Sequence, residues 1–126
     1  MTNSEHILIV DDEPELLFLY KKKLELAGFI VSTAKDGVIA LGMLKIEQPD
    51  LMLLDVKMPV MDGVTTLKNI RSNPLTKDVK VIMFSAFNDL HMYADPEKDN
   101  AVLGVIKKGE DLNTLVEQVK NFMSSK

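Results

Sequence analysis

Polar and charged residues directly follow four of the short apolar runs in this sequence of 126 residues. In chain order, these residues are Asp11-Asp12, Asp55, Ser85 and Lys107. Carboxylates, hydroxyls and ammonium groups bind divalent cations and phosphoryl oxygens. If the apolar runs are parallel strands, their carboxyl ends meet at one edge of a sheet, and we expect the four groups to converge there.

The three carboxylates of this set predict a metal site. Carboxylates that lie close together repel one another unless a cation compensates their charge. The donors are oxygens, the chain has no cysteine, and no histidine follows a strand. This donor set favours Mg²⁺, or Mn²⁺, over zinc.

A cation, a lysine and a hydroxyl around one carboxylate suit phosphoryl transfer, which depends on positioning and on neutralising charge. We expect Asp55 to be the nucleophile and to form an acyl phosphate. Lys107 would neutralise one phosphoryl oxygen, and the Ser85 hydroxyl would donate a hydrogen bond to another.

The elements that must position these residues alternate along the chain. Strand-length apolar runs lie at residues 7–10, 29–31, 51–54, 79–84 and 102–106, and segments with helical periodicity lie between them and after the last. Pro14, Gly28, Asp36-Gly37 and Asp111 stand where helices would begin or end. This pattern predicts an α/β fold of five strands and five helices, with a parallel sheet covered on both faces. The fourth helix, expected within Asn88 to Asn100, is the weakest because Pro96 interrupts it.

Composition excludes several classes of protein. Fifteen Lys and Arg against 19 Asp and Glu give a net charge of −4, which disfavours direct DNA binding. No apolar run is long enough for membrane insertion and no signal peptide is visible, so we expect a cytoplasmic protein. The length fits one domain, residues 1–126.

Three motifs resemble the receiver domain of bacterial two-component response regulators, especially the single-domain, chemotaxis-regulator-like members. The first is the opening strand with its acidic pair, Ile7 to Pro14, and the second is the long loop motif Leu53 to Gly63. The third is the hydroxyl and lysine set, Ser85-Ala86 and Lys107. The resemblance covers essentially the whole chain.

The resemblance implies a flavodoxin-like fold with strand order 2-1-3-4-5 and phosphorylation of Asp55 by a sensor histidine kinase or a histidine phosphotransfer protein. It also implies that Asp12 and Asp55 bind Mg²⁺ directly, that the Lys57 backbone carbonyl is a third ligand, and that Asp11 acts mainly through a bound water. Ser85, Ala86 and Lys107 would bind the phosphoryl group. With no output domain, the protein would be a switch that changes its affinity for a downstream protein rather than an enzyme acting on a separate substrate.

The sequence departs from the family pattern at positions that the family uses for output. Three positions before Lys107 the family often has an aromatic switch residue, and here we expect Gly104 to replace it. After Lys107 the family commonly has a cis-proline, whereas here Lys108 follows. Lys57 and Phe87 flank the site where the family tunes the lifetime of the acyl phosphate, and Phe87 is expected to hinder the attacking water.

Three other classes of protein share parts of this pattern. A phosphatase of the haloacid dehalogenase type needs an acid two residues after the nucleophile, where this chain has Lys57. A flavodoxin needs a phosphate loop where this chain has Asp11-Asp12-Glu13-Pro14, which would repel a flavin phosphate. A receiver-like docking module that is not regulated by phosphorylation stays open, because Gly104 and Lys108 alter the output surface.

Overall fold

The structure, a computed structural model, describes residues 5–85, 102–108 and 111–124. Its five parallel strands form one sheet in the order β2-β1-β3-β4-β5. The strands are β1 (His6–Val10), β2 (Ile30–Ala34), β3 (Leu51–Asp55), β4 (Val81–Ser85) and β5 (Val102–Lys107). The helices of the described residues are α1 (Pro14–Leu26), α2 (Gly37–Ile46), α3 (Gly63–Ser72) and α4 (Leu112–Ser124). The predicted flavodoxin-like fold and its strand order are confirmed.

Both faces of the sheet are covered, because successive side chains of a strand point to opposite faces. On one face Ile7, Ile9, Leu53 and Phe84 pack with residues of α1 and α4. We call this the α1/α4 face. On the other, the α2/α3 face, strand residues such as Leu8, Leu54 and Met83 pack with residues of α2 and α3. The continuous apolar runs of the sequence therefore belong to strands that are buried on both faces of the sheet.

The helix boundaries follow the predicted signals. Pro14 is the first residue of α1, and Gly28 follows that helix with a φ of 102°. The Asp36 carboxylate accepts a hydrogen bond from the Ile39 N–H and caps α2. The Leu115 N–H donates to the Asp111 carbonyl, so α4 begins directly after Asp111.

Two strand boundaries differ from the prediction by two or more residues. The strand expected at residues 29–31 is Ile30–Ala34, and the strand expected from residue 79 begins at Val81. β2 is an edge strand that is paired only with β1. Its polar residues Ser32 and Thr33 extend the strand beyond the apolar run, because half-exposed positions at an edge tolerate polar side chains. The helix expected within residues 88–100 lies outside the described residues.

Helix α4 packs closely on β5 at Gly104. A Cβ at this position would lie 2.5 Å from Cζ of Phe122, so only glycine leaves room for the ring. Within the described ranges, no helix combines the length and apolar character that a membrane crossing requires.

Candidate functional site

Three aspartates meet at the carboxyl edge of the sheet. Asp11 and Asp12 follow β1, and Asp55 is the last residue of β3, the neighbouring strand. One carboxylate oxygen from each residue lies within 4.8 Å of the other two. Asp11 and Asp55 are buried, whereas Asp12 is accessible to solvent. The predicted convergence of carboxylates is therefore present in the fold.

The lysine of this cluster is Lys108. Its Nζ lies 2.7 Å from Oδ2 of Asp11 and donates a hydrogen bond of 3.0 Å to Oδ2 of Asp55. A third carboxylate, that of Glu13, lies 3.5 Å from the same nitrogen. Only 8% of the Lys108 side chain is exposed, so the ammonium is held inside the acidic cluster.

The prediction that Lys107 occupies this place is wrong by one residue, and strand alternation gives the reason. Asp11 continues the series Ile7 and Ile9 on the α1/α4 face, and Asp55 continues the series Leu51 and Leu53. Ile106 of β5 also packs on this face, so the residue two positions later, Lys108, points to the carboxylates. Lys107 pairs with Ser85 in the register of β4 and β5 and is exposed.

The shift of the lysine also corrects the assignment of the switch position. Three residues before Lys108 stands Val105, not Gly104. Val105 packs against the core of the α2/α3 face, whereas Gly104 receives Phe122 on the opposite face. Neither residue is aromatic, so the departure from the family pattern remains. Among the described residues no peptide bond is cis, which makes the Lys107–Lys108 bond trans.

Two aromatic side chains lie next to the Lys108 ammonium or contact the ring that does. The Lys108 Nζ lies 5.6 Å from the centre of the Phe84 ring. Phe84 in turn contacts Tyr20 of α1 edge to face, with ring centres 5.1 Å apart. The rings keep water from one side of the ammonium and strengthen its attraction to the carboxylates.

The segment after Asp55 is folded tightly against the end of β3. The Gly63 N–H donates to the Val56 carbonyl at 2.7 Å, and a Cβ at Gly63 would clash with the Asp55 carbonyl oxygen. Asp62 then caps α3 by accepting a hydrogen bond from the Thr65 N–H. Gly63 is therefore required for the loop to close beside Asp55.

Burial and charge change the acidity of the central pair. Burial and the charge of Asp11 raise the pKa of the Asp55 carboxyl to about 6, although Lys108 acts in the opposite direction. Burial lowers the pKa of Lys108, but hydrogen bonds and charges from Asp11 and Asp55 outweigh it and raise that pKa overall. Lys108 is therefore a permanent cation in this site.

The remaining predicted site residues are placed as follows. Ser85 ends β4 at the same edge of the sheet as Asp55. Lys57 is exposed in the loop after Asp55. Ala86 and Phe87 lie outside the described residues. The sequence prediction did not include Lys108 or Glu13. Lys108 could have been found by counting alternate residues from the buried Ile106.

The donor set fits a hard divalent cation. The Lys108 ammonium offsets only one of the three aspartate charges, so the ionised cluster keeps a net negative charge. Carboxylate oxygens are the ligands that Mg²⁺ prefers, and the accessible Asp12 leaves the cluster open to solvent on one side. The arrangement can bind a cation and offer one carboxylate oxygen as a nucleophile.

Comparison with known proteins gives one consistent family. The model of the response regulator receiver domain matches residues 7–120. Sporulation initiation phosphotransferase F of Bacillus subtilis is 32% identical over 123 residues, which cover 98% of this chain and 97% of that protein. Response regulator PleD of Caulobacter vibrioides is 40% identical over 85 residues but is matched over only 19% of its length.

Solved structures agree with the sequence comparison. The response regulator protein TrrA of Thermotoga maritima, solved in complex with Mg²⁺ and BeF, is 30% identical with a TM-score of 0.80. The match covers 94% of this chain and 98% of that one. A second response regulator, from Chloroflexus aurantiacus, is 30% identical with a TM-score of 0.82, and covers 97% of this chain and 99% of its own. The chain therefore belongs to the response regulator receiver domains of two-component systems.

Proposed function

We propose that this receiver domain is a phosphorylation-dependent switch that accepts a phosphoryl group on Asp55 from a sensor histidine kinase or a histidine phosphotransfer protein. The observation that carries the proposal is the buried Asp55 carboxylate, which lies beside two further aspartates and 3.0 Å from the Lys108 ammonium. The first relative named above is itself called a phosphotransferase, which supports phosphoryl transfer as the class of reaction.

Asp12, Asp55 and the Lys57 backbone carbonyl would hold Mg²⁺ or Mn²⁺, and Asp11 would act mainly through a bound water. When bound, the cation supplies charge neutralisation at the phosphoryl oxygens. The TrrA structure contains Mg²⁺ and BeF, which supports this choice of cation for a related domain.

The chemical step needs one nucleophile on this chain and the phosphohistidine of the donor protein. A carboxylate oxygen of Asp55 attacks the phosphorus of the donor's phosphohistidine, and the P–N bond breaks as the new P–O bond forms. The imidazole nitrogen leaves with the electron pair and takes up a proton from solvent. Hydrolysis of the acyl phosphate by water later restores Asp55, so the protein catalyses only its own phosphorylation and dephosphorylation.

Lys108 takes the role that the sequence suggested for Lys107. Its ammonium already pairs with Asp55 and would exchange part of that contact for a phosphoryl oxygen. The Ser85 hydroxyl and the Ala86 backbone N–H would bind the other oxygens. Phe87 would shield the acyl phosphate from water, and a Phe87→Ala variant that dephosphorylates at an unchanged rate would contradict this role.

We further propose that residues 1–126 act as one receiver domain in the cytoplasm, without direct DNA binding. The phosphorylated form would then act by changing its affinity for a downstream protein. The high coverage of the Bacillus relative supports this organisation.

The test is phosphorylation with acetyl phosphate and Mg²⁺, followed by intact-mass measurement. We expect a single added phosphoryl group on the wild-type protein and none on Asp55→Asn, which preserves the size of the side chain. The Lys107→Ala variant is a control that should be labelled like the wild type. Absence of Mg²⁺-dependent labelling of the folded wild type would instead favour the docking module that works without phosphorylation.

A further inference from the structure

Strand β5 contains one residue more than its partner near the start of their pairing. Val81 pairs with Val102, but the next residue of β4, Ile82, pairs with Gly104. Leu103 is therefore the extra residue of a β-bulge, and every later residue of β5 is shifted by one position relative to β4. Among the described strands, β5 pairs only with β4, so the shift disturbs no other pairing.

The bulge decides which lysine lies in the acidic cluster. In the observed register Phe84 pairs with Ile106, and Lys108, two residues after Ile106, points to the same face of the sheet. Without the bulge, Phe84 would pair with Val105 instead, and the residue two positions after Val105 is Lys107. A shift of one residue therefore exchanges one ammonium for another at the same place.

The sequence of β5 is compatible with both registers. A shift of one residue moves every side chain to the opposite face, which is normally prevented because polar residues would enter the core. Here Val105 packs on the α2/α3 face and Ile106 is buried on the α1/α4 face, so each face would again receive an aliphatic side chain. Gly109 follows the lysines in the sequence, and its backbone freedom suits the residue that the connection to α4 would gain.

Phe122 of α4 favours the observed register. Its ring fills the space beside Gly104, where a Cβ would lie 2.5 Å from Cζ of the ring. Without the bulge, Leu103 takes the backbone position of Gly104 and brings a Cβ to that place. The ring must then move, so the bulged register is preferred while Lys108 is available. The register of β5 is therefore coupled to the packing of α4.

We propose that β5 has a second register without the bulge, and that Lys107 replaces Lys108 beside Asp55 in this register. The acidic cluster drives the exchange, because the buried carboxylates of Asp11 and Asp55 are costly without a cation. Any change that removes the Lys108 ammonium therefore favours the second register. Lys107 would then be a reserve lysine for the phosphoryl transfer proposed above, and only this role rests on that proposed function.

NMR spectroscopy of the full chain tests the two registers without Mg²⁺ or a phosphodonor. The strongest interstrand backbone nuclear Overhauser effects of Phe84 should join it to Ile106 in the wild type and to Val105 in Lys108→Ala. The control is the double variant Lys107→Ala/Lys108→Ala, which should keep the wild-type pairing because neither register supplies an ammonium.

Two outcomes of this experiment would overturn the proposal. One is a folded Lys108→Ala in which Phe84 still pairs with Ile106, and the other is an equal shift in the double variant. Lys108→Met keeps the length of the side chain and takes the place of Lys108→Ala if the alanine variant does not fold.

The coupling to α4 is tested with both lysines present. Phe122→Ala removes the ring that opposes the second register, and its spectra should show the pairing of Phe84 with Val105 beside the pairing with Ile106. Phe29→Ala removes another ring that packs on the α1/α4 face and should show the wild-type pairing alone. A single, wild-type pairing in Phe122→Ala would contradict the role of this ring.

Phosphorylation kinetics test the role of Lys107 at Asp55. Lys108→Ala should keep part of its reactivity with acetyl phosphate and Mg²⁺, and the double variant should lose about a further tenfold, as expected for a lost charge-assisted contact. A double variant that reacts as fast as Lys108→Ala would exclude Lys107 from this role. If no variant is labelled, the proposed function fails, while the NMR result still decides between one register and two.

Discussion

Two adjacent lysines have different environments although the sequence gives them equal charge. Lys108 is buried among carboxylates, while Lys107 points away from them and is exposed. The difference arises from the two-residue period of β5 and not from the chemistry of either side chain. These neighbours offer a natural pair of variants for testing which ammonium serves the site.

We expect Lys108→Ala to lower the rate of phosphorylation by acetyl phosphate about 10-fold to 100-fold. Removing a charge-assisted hydrogen bond at Asp55 costs about 1.5–3 kcal/mol, which corresponds to this change in rate. The rate is measured by intact mass over time at fixed Mg²⁺. Lys107→Ala should stay within about twofold of the wild type, and a larger loss in Lys107→Ala than in Lys108→Ala would contradict the assignment.

Asp55 should make stability depend on pH. Its pKa is raised from 3.8 to about 6 in the folded protein, so the folded state binds more protons than the unfolded state between these values. Stability therefore falls as pH rises through this window and stays low above it. Asp55→Asn removes the penalty and should raise the free energy of unfolding by about 1–2 kcal/mol at pH 7.5.

Urea unfolding in EDTA at pH 7.5 and pH 4 checks this expectation. The advantage of Asp55→Asn should shrink at pH 4, where the wild-type carboxyl is protonated in the folded protein. An advantage that is equal at both values would show that the buried charge is not its cause.

At the scale of elements, the loop that follows β3 contains a strained residue. Val60 has a φ of 71° and is 80% exposed. A β-branched residue in the left-handed region is unfavourable by about 1–2 kcal/mol, because its Cβ crowds the following carbonyl oxygen. The strain lies between Asp55 and the cap of α3, in the segment that would coordinate the metal.

Val60→Gly should therefore raise the free energy of unfolding by about 0.5–1 kcal/mol, although glycine is more flexible in the unfolded chain. Val64→Gly, the same substitution within α3, should lower it by about 1 kcal/mol or more. Both changes are measured by urea unfolding. If both variants lose stability, the backbone at Val60 is not strained.

The sequence was a good guide to the elements and a weaker guide to their ends. Continuous apolar runs identify buried strands, and all five predicted strands are present. The polar half of β2 was missed because Ser32 and Thr33 lie at a sheet edge and carry no apolar signal. The sequence favours Lys107 because it directly follows an apolar run, whereas the side of the sheet that a residue faces depends on its position in the alternation of the strand. The alternation of side chains along β5 tells which face of the sheet each residue points to, whereas the end of an apolar run does not.

At the scale of the whole molecule, the site brings together residues that lie far apart in the chain. Asp11, Asp55 and Lys108 belong to three different strand ends, so they meet only when the sheet is complete. A ligand that binds the three aspartates must therefore stabilise the folded state as a whole, because the unfolded chain offers no such cluster.

We expect 10 mM MgCl₂ to raise the melting temperature of the wild type. A ligand present at about 100 times its Kd stabilises by about 2.7 kcal/mol, and this gain decreases with the logarithm of the ratio of ligand concentration to Kd. The shift should vanish in Asp55→Asn and persist in Lys107→Ala. NaCl of equal ionic strength is the control, and an equal shift with NaCl would mean that Mg²⁺ acts only by screening.

The contact of Lys108 with Phe84, and of Phe84 with Tyr20, has a consequence for spectroscopy. The chain has no tryptophan and two tyrosines, so tyrosine emission is not masked. Burial raises the pKa of Tyr20, which keeps its phenol neutral at physiological pH. Any event that moves the Lys108 ammonium changes the electric field at the aromatic pair. We therefore expect the emission of Tyr20 to change with the state of Asp55, without a label attached to the protein.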